Sequence, residues 1–166
     1  MKKIITAIIA VSILLITSCQ KNSSTSNAGS WTFKSNTYHA TFGGYILGAL
    51  TAYTGDNIPT GSLSFYFHDT IPVAGTYTAT NDYSTIPPLA GNVLVELTDT
   101  SLKNVYVISG STIPNVTVTV SGGKATITLP PVEVINVNTT LPNLPPVGYH
   151  TKTDSSLVSG TIIQTQ

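Results

Sequence analysis

Three histidines have the most versatile side-chain chemistry in this chain, and they lie far apart in the sequence. They are His39, His68 and His150, and Asp69 directly follows His68. No two of them have the HxH or HxxxH spacing that brings two imidazoles to one metal ion. Because neighbouring side chains in a strand point to opposite faces, His68 and Asp69 would chelate together only if a strand ended there. We therefore expect no metal site and no cofactor.

The acidic residues are also scattered, and most of them lie in predicted turns. They are Asp56, Asp69, Asp82, Glu96, Asp99, Glu133 and Asp154. A glycoside hydrolase needs two carboxylates about 5–9.5 Å apart across a cleft, and the order of residues in the chain does not reveal such a pair. Serines are abundant, but the GxSxG motif of many serine hydrolases is absent from the sequence. We identify no catalytic residue, and a hydrolase of cell-envelope glycan is kept as an alternative.

Aromatic residues beside loops are better suited to binding than to catalysis. Tyr83 lies in a proline-rich segment at 80–91, and Tyr149 and His150 lie in a second one at 138–155. A tyrosine ring can stack on a sugar or pack against a protein, although tyrosine is also common in half-buried strands. Long loops in compact domains are often functional. These three residues are the candidate binding set, and we predict that alanine at both tyrosines weakens binding without preventing folding.

The segments around these loops have the composition of strands. Val, Ile, Thr, Tyr and Phe dominate, and Gly, Pro, Asn, Asp and Ser interrupt them at short intervals. The predicted strands are 31–34, 38–42, 46–53, 62–68, 75–79, 92–98, 104–109, 115–120, 124–129, 132–137 and 156–164. The regular alternation of apolar and polar residues from Leu63 to His68 is typical of a half-buried antiparallel strand.

The sequence VTVTVSGGKATITL, residues 116–129, predicts a hairpin with a defined register. Gly122 and Gly123 can both adopt the positive φ angles of a type I′ turn. A turn there pairs Val120 with Ala125, Val118 with Ile127 and Val116 with Leu129, and it pairs threonines on the other face. Because a hairpin alone is marginally stable, its apolar face must pack on further strands. This segment is therefore scaffold.

The N-terminal residues have the pattern of an export signal. Lys2 and Lys3 precede a mainly apolar stretch of 13 residues at 4–16, shorter than the ~20 residues that a membrane-spanning helix needs. Small residues then precede Cys19, which is the only cysteine. This resembles the lipobox of bacterial lipoproteins, which implies cleavage before Cys19 and lipidation of that residue. We predict a signal peptide at 1–18, a lipidated cysteine with a flexible polar tether at 19–30, and one β domain at 31–166.

Composition excludes several classes of partner. Removal of 1–18 leaves five lysines against seven acids, and the chain contains no arginine. Arginine is the preferred bidentate partner of phosphate, and nucleic-acid binding requires a basic surface, so nucleic acid is not expected as a partner. With Cys19 lipidated, no cysteine remains for a disulfide or a thiolate metal site. The expected partners are the membrane, through the lipid anchor, and a protein or a carbohydrate.

The chain resembles a group of small uncharacterised lipoproteins of Gram-negative bacteria. The residues that carry the resemblance are WTFK at 31–34, AGTYT at 74–78, VTVSGGK at 118–124 and SGT at 159–161. Every one of these motifs is a strand or turn signature. The resemblance implies a lipid-anchored, all-β domain at the outer membrane or cell surface, facing either the periplasm or the exterior, and it implies no activity.

These observations predict an all-β fold, an antiparallel β-sandwich, with a β-barrel as the alternative architecture. The function that we expect is a non-catalytic binding or structural module of the cell envelope. A carrier that holds a small apolar molecule inside a barrel is the main alternative. An interior apolar cavity of at least ~300 Å³ would distinguish the carrier from the binding module.

Overall fold

The computed structural model describes residues 27–55, 57–82, 84–100, 104–109, 114–137 and 155–165. The predicted signal peptide, Cys19 and the first part of the tether lie outside these residues. Tyr83, Tyr149 and His150 also lie outside them, so the structure does not test the candidate binding set. In the part of the chain that is described, no helix is long and apolar enough to cross a membrane.

All the regular structure in the described residues is β-strand. The strands are β1 (Gly29–Phe33), β2 (Asn36–His39), β3 (Phe42–Ile46), β4 (Ala49–Tyr53), β5 (Gly61–Phe67), β6 (Gly75–Thr80), β7 (Asn92–Asp99), β8 (Asn104–Ile108), β9 (Asn115–Ser121), β10 (Lys124–Val137) and β11 (Ser155–Ile163). The predicted all-β, mostly antiparallel fold class is confirmed.

The eleven strands form one sheet in the order β2-β1-β11-β10-β9-β6-β7-β5-β4-β3. Strand β8 lies off this path and pairs with both β10 and β7, so β6, β7, β8, β10 and β9 close a ring. All the pairs are antiparallel except β6 with β7, which is parallel. The sheet therefore surrounds one core, an arrangement compatible with a sandwich or a barrel.

The core is filled by the apolar half of each alternating strand. Leu63, Phe65 and Phe67 on β5 are at most 3% exposed, as the alternation predicts. Large aromatic side chains pack between the strands, with the rings of Trp31 and Tyr38 stacked at 5.2 Å. Each such side chain stabilises the fold by about 1.5–3 kcal/mol through its burial.

The predicted register of the hairpin is confirmed from Thr117 to Thr128. Val120 pairs with Ala125 and Val118 with Ile127, while threonines pair on the other face. Gly122 and Gly123 have φ angles of 57° and 75°, the values of a type I′ turn. Local sequence was sufficient to predict this register because the turn and both strands are contiguous in the chain.

Three other strand predictions were wrong. Residues 38–42 were predicted as one strand, but β2 ends at His39 and β3 begins at Phe42. Residues 46–53 were predicted as one strand, but β3 ends and β4 begins there, with a turn at Leu47 and Gly48. Leu47 has a φ of 51°, a conformation that leucine seldom adopts, so only Gly48 could have signalled the turn. Residues 124–129 and 132–137 were predicted as two strands but form β10, because a bulge between Leu129 and Val132 accommodates both prolines.

Candidate functional site

A surface pocket of about 290 Å³ lies where β5 ends and β6 begins. Its walls are the end of β5, the loop that connects β5 to β6, and the last residues of the first proline-rich segment. The lining residues are Phe67, His68, Asp69, Pro72, Val73, Ala74, Gly75, Thr76, Tyr77, Ala90 and Gly91. The predicted contact segment at 80–91 therefore borders the pocket through its C-terminal residues.

The floor of the pocket is a pair of aromatic rings. Phe67 and Tyr77 meet edge to face, with ring centroids 4.8 Å apart. Phe67 belongs to the core and is 3% exposed, and Tyr77 packs against that core from the strand two places away in the sheet. Edge-to-face pairs of this kind add about 0.5–1.5 kcal/mol beyond burial, so the apolar floor is preformed.

The β5–β6 loop is tied to the sheet by the same tyrosine. The Tyr77 hydroxyl donates to the Val73 carbonyl at 3.0 Å and accepts from the Val73 amide at 3.1 Å. Both backbone groups of one loop residue are therefore satisfied by one side chain. This places the loop as a fixed wall of the pocket.

The opposite wall is held by His68. Its Nδ1 atom lies 2.9 Å from the Pro88 carbonyl oxygen in the first proline-rich segment. A carbonyl oxygen can only accept, so Nδ1 carries the proton in this contact. Pro88 is buried, and the segment turns back toward β7 where the Asn92 amide donates to the Leu89 carbonyl at 3.0 Å. His68 therefore holds the first proline-rich segment in place.

Exposed apolar residues lie in the pocket lining and next to it in the sequence. Val73 lines the pocket and is 68% exposed, and Ile71 and Leu89, which directly precede the lining residues Pro72 and Ala90, are both 67% exposed. Asp69 is the charged side chain among the lining residues. Exposed apolar residues that cluster at a concave site are typical of binding surfaces.

The side chains that line the pocket are suited to binding a partner. The Tyr77 hydroxyl is occupied by Val73 and the His68 Nδ1 atom by Pro88, and Asp69 is the acidic residue in the lining. No group of three or more His, Cys, Asp or Glu that could hold a metal ion occurs among the described residues. The arrangement can receive an apolar side chain next to a negative charge.

Other aromatic, histidine and acidic residues do not line this pocket. Tyr53 pairs with Ser62, at the opposite end of β5 from Phe67, and its ring contacts Phe42. His39 lies on β2, at one edge of the sheet. Glu96 and Asp99 occupy opposite faces of β7, because they are three residues apart on one strand.

Sequence reasoning did not identify Phe67 and Tyr77 as pocket residues. The sequence did contain a local indication of a binding surface, because the loop at 68–74 contains Ile71 and Val73 outside any alternating pattern. Apolar residues without strand periodicity beside a turn mark a surface that is not explained by the core. That Phe67 and Tyr77 meet depends on the sheet order, in which β7 lies between β5 and β6, and the sequence does not give that order.

Comparison with protein-family models, curated proteins and solved structures found no match to this chain.

Proposed function

We propose that this protein is a lipid-anchored component of the bacterial cell envelope whose β domain is a non-catalytic binding module. In this proposal the pocket formed by 67–69, 72–77 and 90–91 is the contact region. The observation that carries it is the contact of Phe67 with Tyr77 in the pocket lining, together with exposed Val73 in the lining and exposed Ile71 and Leu89 next to lining residues in the sequence. These three side chains are largely exposed, so they contribute little to the folded core.

The anchor is supported by sequence. The basic residues, the short apolar segment and the small residues before Cys19 have the order of a lipoprotein signal. Two or three acyl chains would hold the protein firmly, because each buried methylene contributes about 0.8 kcal/mol. The outer membrane or the cell surface is the proposed location.

The anchor is tested by expressing the full chain and its Cys19→Ser variant in a Gram-negative host fed an alkyne-labelled palmitate. We expect label and membrane association for the wild type and neither for the variant. Equal membrane association of both proteins, with no label on either, would contradict the anchor.

The contact region is tested by capture from detergent-solubilised envelope extract. The double variant Ile71→Ser, Leu89→Ser removes two exposed apolar side chains that directly precede lining residues, and we expect it to lose the proteins or glycans that the wild type retains. Leu157→Ser is the matched control, since Leu157 is 62% exposed but lies on β11. The assignment fails if the control and the double variant retain the same material as the wild type.

A further inference from the structure

Strand β6 extends beyond the strand beside it. Its pairing with β9 starts at Gly75, whereas its pairing with β7 starts only at Thr78, opposite Asn92. Residues 75–77 therefore have a strand partner on one side and none on the other among the described residues. The unpartnered side opens into the pocket, which Gly75, Thr76 and Tyr77 line.

The backbone direction at Thr76 follows from its neighbours. The Thr78 amide donates to the Gly91 carbonyl at 2.9 Å, on the β7 side, and the Ala79 amide donates to Pro114 at 3.0 Å, on the β9 side. Backbone groups of successive strand residues point alternately to the two sides. The amide and carbonyl of Thr76 therefore point to the β7 side, into the pocket.

The space beside residues 75–77, where the line of β7 would continue, is called the gap, and it has the width of one strand. Strands β5 and β6 flank β7, and adjacent strands lie about 4.7–4.9 Å apart, so the β5 and β6 lines are separated by about twice that distance. The ladder of β5 with β7 ends at Phe67 opposite Val93, and His68 and Asp69 continue along the pocket wall. The chain before β7 turns at Leu89 and does not fill the line of that strand.

There is room above the strand edge. A Cβ atom built at Gly75 would have no heavy atom within 4 Å. The pocket volume of about 290 Å³ is at the lower end of ligand pockets, which suits one side chain with a short length of backbone.

We infer that this gap binds an extended peptide strand from a protein partner, which hydrogen-bonds to the backbone of Thr76 and places an apolar side chain on Phe67 and Tyr77. The inference rests on the proposed function of the pocket and names its ligand class. Strand addition of this kind takes affinity from main-chain bonds and selectivity from the pocket below. Asp69 at the rim favours a lysine or arginine next to the apolar residue.

The test uses the full-length protein in detergent micelles and a capped heptapeptide of alternating threonine and valine with one lysine. We expect amide shifts at Thr76 and Gly91 on titration, and slower hydrogen exchange of the Thr76 amide. Two peptides N-methylated at alternate residues, one in each register, serve as controls, and the one whose methyl groups face β6 should not bind. No binding at about 1 mM peptide, or equal binding of both methylated peptides, would overturn the inference.

A protein variant gives an independent measurement. Thr76→Pro removes the inward amide but leaves the β9 ladder intact, because the Thr76 amide points away from β9. We expect it to weaken peptide binding about tenfold, the effect of one lost hydrogen bond, while Thr76→Val binds like wild type. If Thr76→Pro does not fold, the methylated peptides decide the question.

The outcomes separate this inference from the proposed function. Envelope capture that depends on Ile71 and Leu89, with no effect of backbone methylation on the peptide, would remove the strand mode and leave the contact region standing. Capture that depends on neither Ile71 nor Leu89 would remove both the contact region and the strand mode.

Discussion

The Tyr38 hydroxyl donates a hydrogen bond to Oδ2 of Asp99 at 3.2 Å, and this contact joins β2 to the end of β7 inside the core. Both side chains are at most 3% exposed. Burial raises the pKa of Tyr38, and the charge of Asp99 raises it further, so the hydroxyl stays protonated as a donor. Residues 61 positions apart in the chain are therefore linked by one polar bond.

Replacing the donor tests what this bond contributes. Tyr38→Phe keeps the ring that stacks on Trp31 but takes one partner from a buried carboxylate. We expect the free energy of unfolding to fall by about 1–3 kcal/mol, measured by urea denaturation at neutral pH. Tyr53→Phe is the control, because Tyr53 is 46% exposed. A loss in Tyr38→Phe no larger than in the control would show that the bond is not stabilising.

Glu96 gives the domain a pH dependence of defined sign. Burial raises the pKa of its carboxyl above 4.5, so the folded state favours the protonated form. The resulting stability is present below the unfolded pKa and is lost as the pH rises through the folded pKa. We therefore expect Glu96→Gln to be more stable than wild type at pH 7, with the difference narrowing toward about pH 4.

The measurement for Glu96 is the urea midpoint of both proteins across that pH range. Asp69→Asn controls for the loss of one negative charge, since Asp69 is exposed in the pocket rim. A difference between Glu96→Gln and wild type that does not change with pH would contradict the burial argument.

Alanine substitutions at Gly123 in the hairpin turn and at Gly75 distinguish the cost of backbone conformation from the cost of steric crowding. A Cβ atom at Gly123 or at Gly75 would meet no atom within 4 Å, but only Gly123 has a left-handed φ, of +75°. We expect Gly123→Ala to cost about 1–2 kcal/mol, whereas Gly75→Ala is neutral or stabilises by about 0.4–1 kcal/mol. Thermal or urea unfolding of the two variants side by side checks this, and equal effects would exclude a conformational origin.

The β3–β4 turn is a site where the protein can be stabilised. Leu47 is 95% exposed and has a φ of 51°, so it gains nothing from burial and adopts an unfavourable backbone conformation. Asparagine before Gly48 is the preferred pair for this turn type. We expect Leu47→Asn to raise the free energy of unfolding by about 1 kcal/mol, and Leu89→Asn, in an ordinary exposed position, to change it by less than about 0.5 kcal/mol.

The candidate site shows where prediction from sequence stops. The first proline-rich segment was identified from composition, and its residues Ala90 and Gly91 do line the pocket. Phe67 and Tyr77 were assigned to strands correctly, but their contact depends on β7 lying between β5 and β6. The candidates Tyr83, Tyr149 and His150 lie outside the described residues and stay predictions.

The sequence by itself determined the all-β fold class and the register of the hairpin at Gly122 and Gly123. Both follow from local rules, namely the two-residue period of strand side chains and the φ freedom of glycine. Only the tertiary structure decided that the chain turns at Leu47 and that β10 continues through two prolines. It also decided that β6 begins before its pairing with β7 starts, beside the pocket. Those features depend on which distant strands pair and how far each one extends, and many partners would satisfy the same alternating pattern.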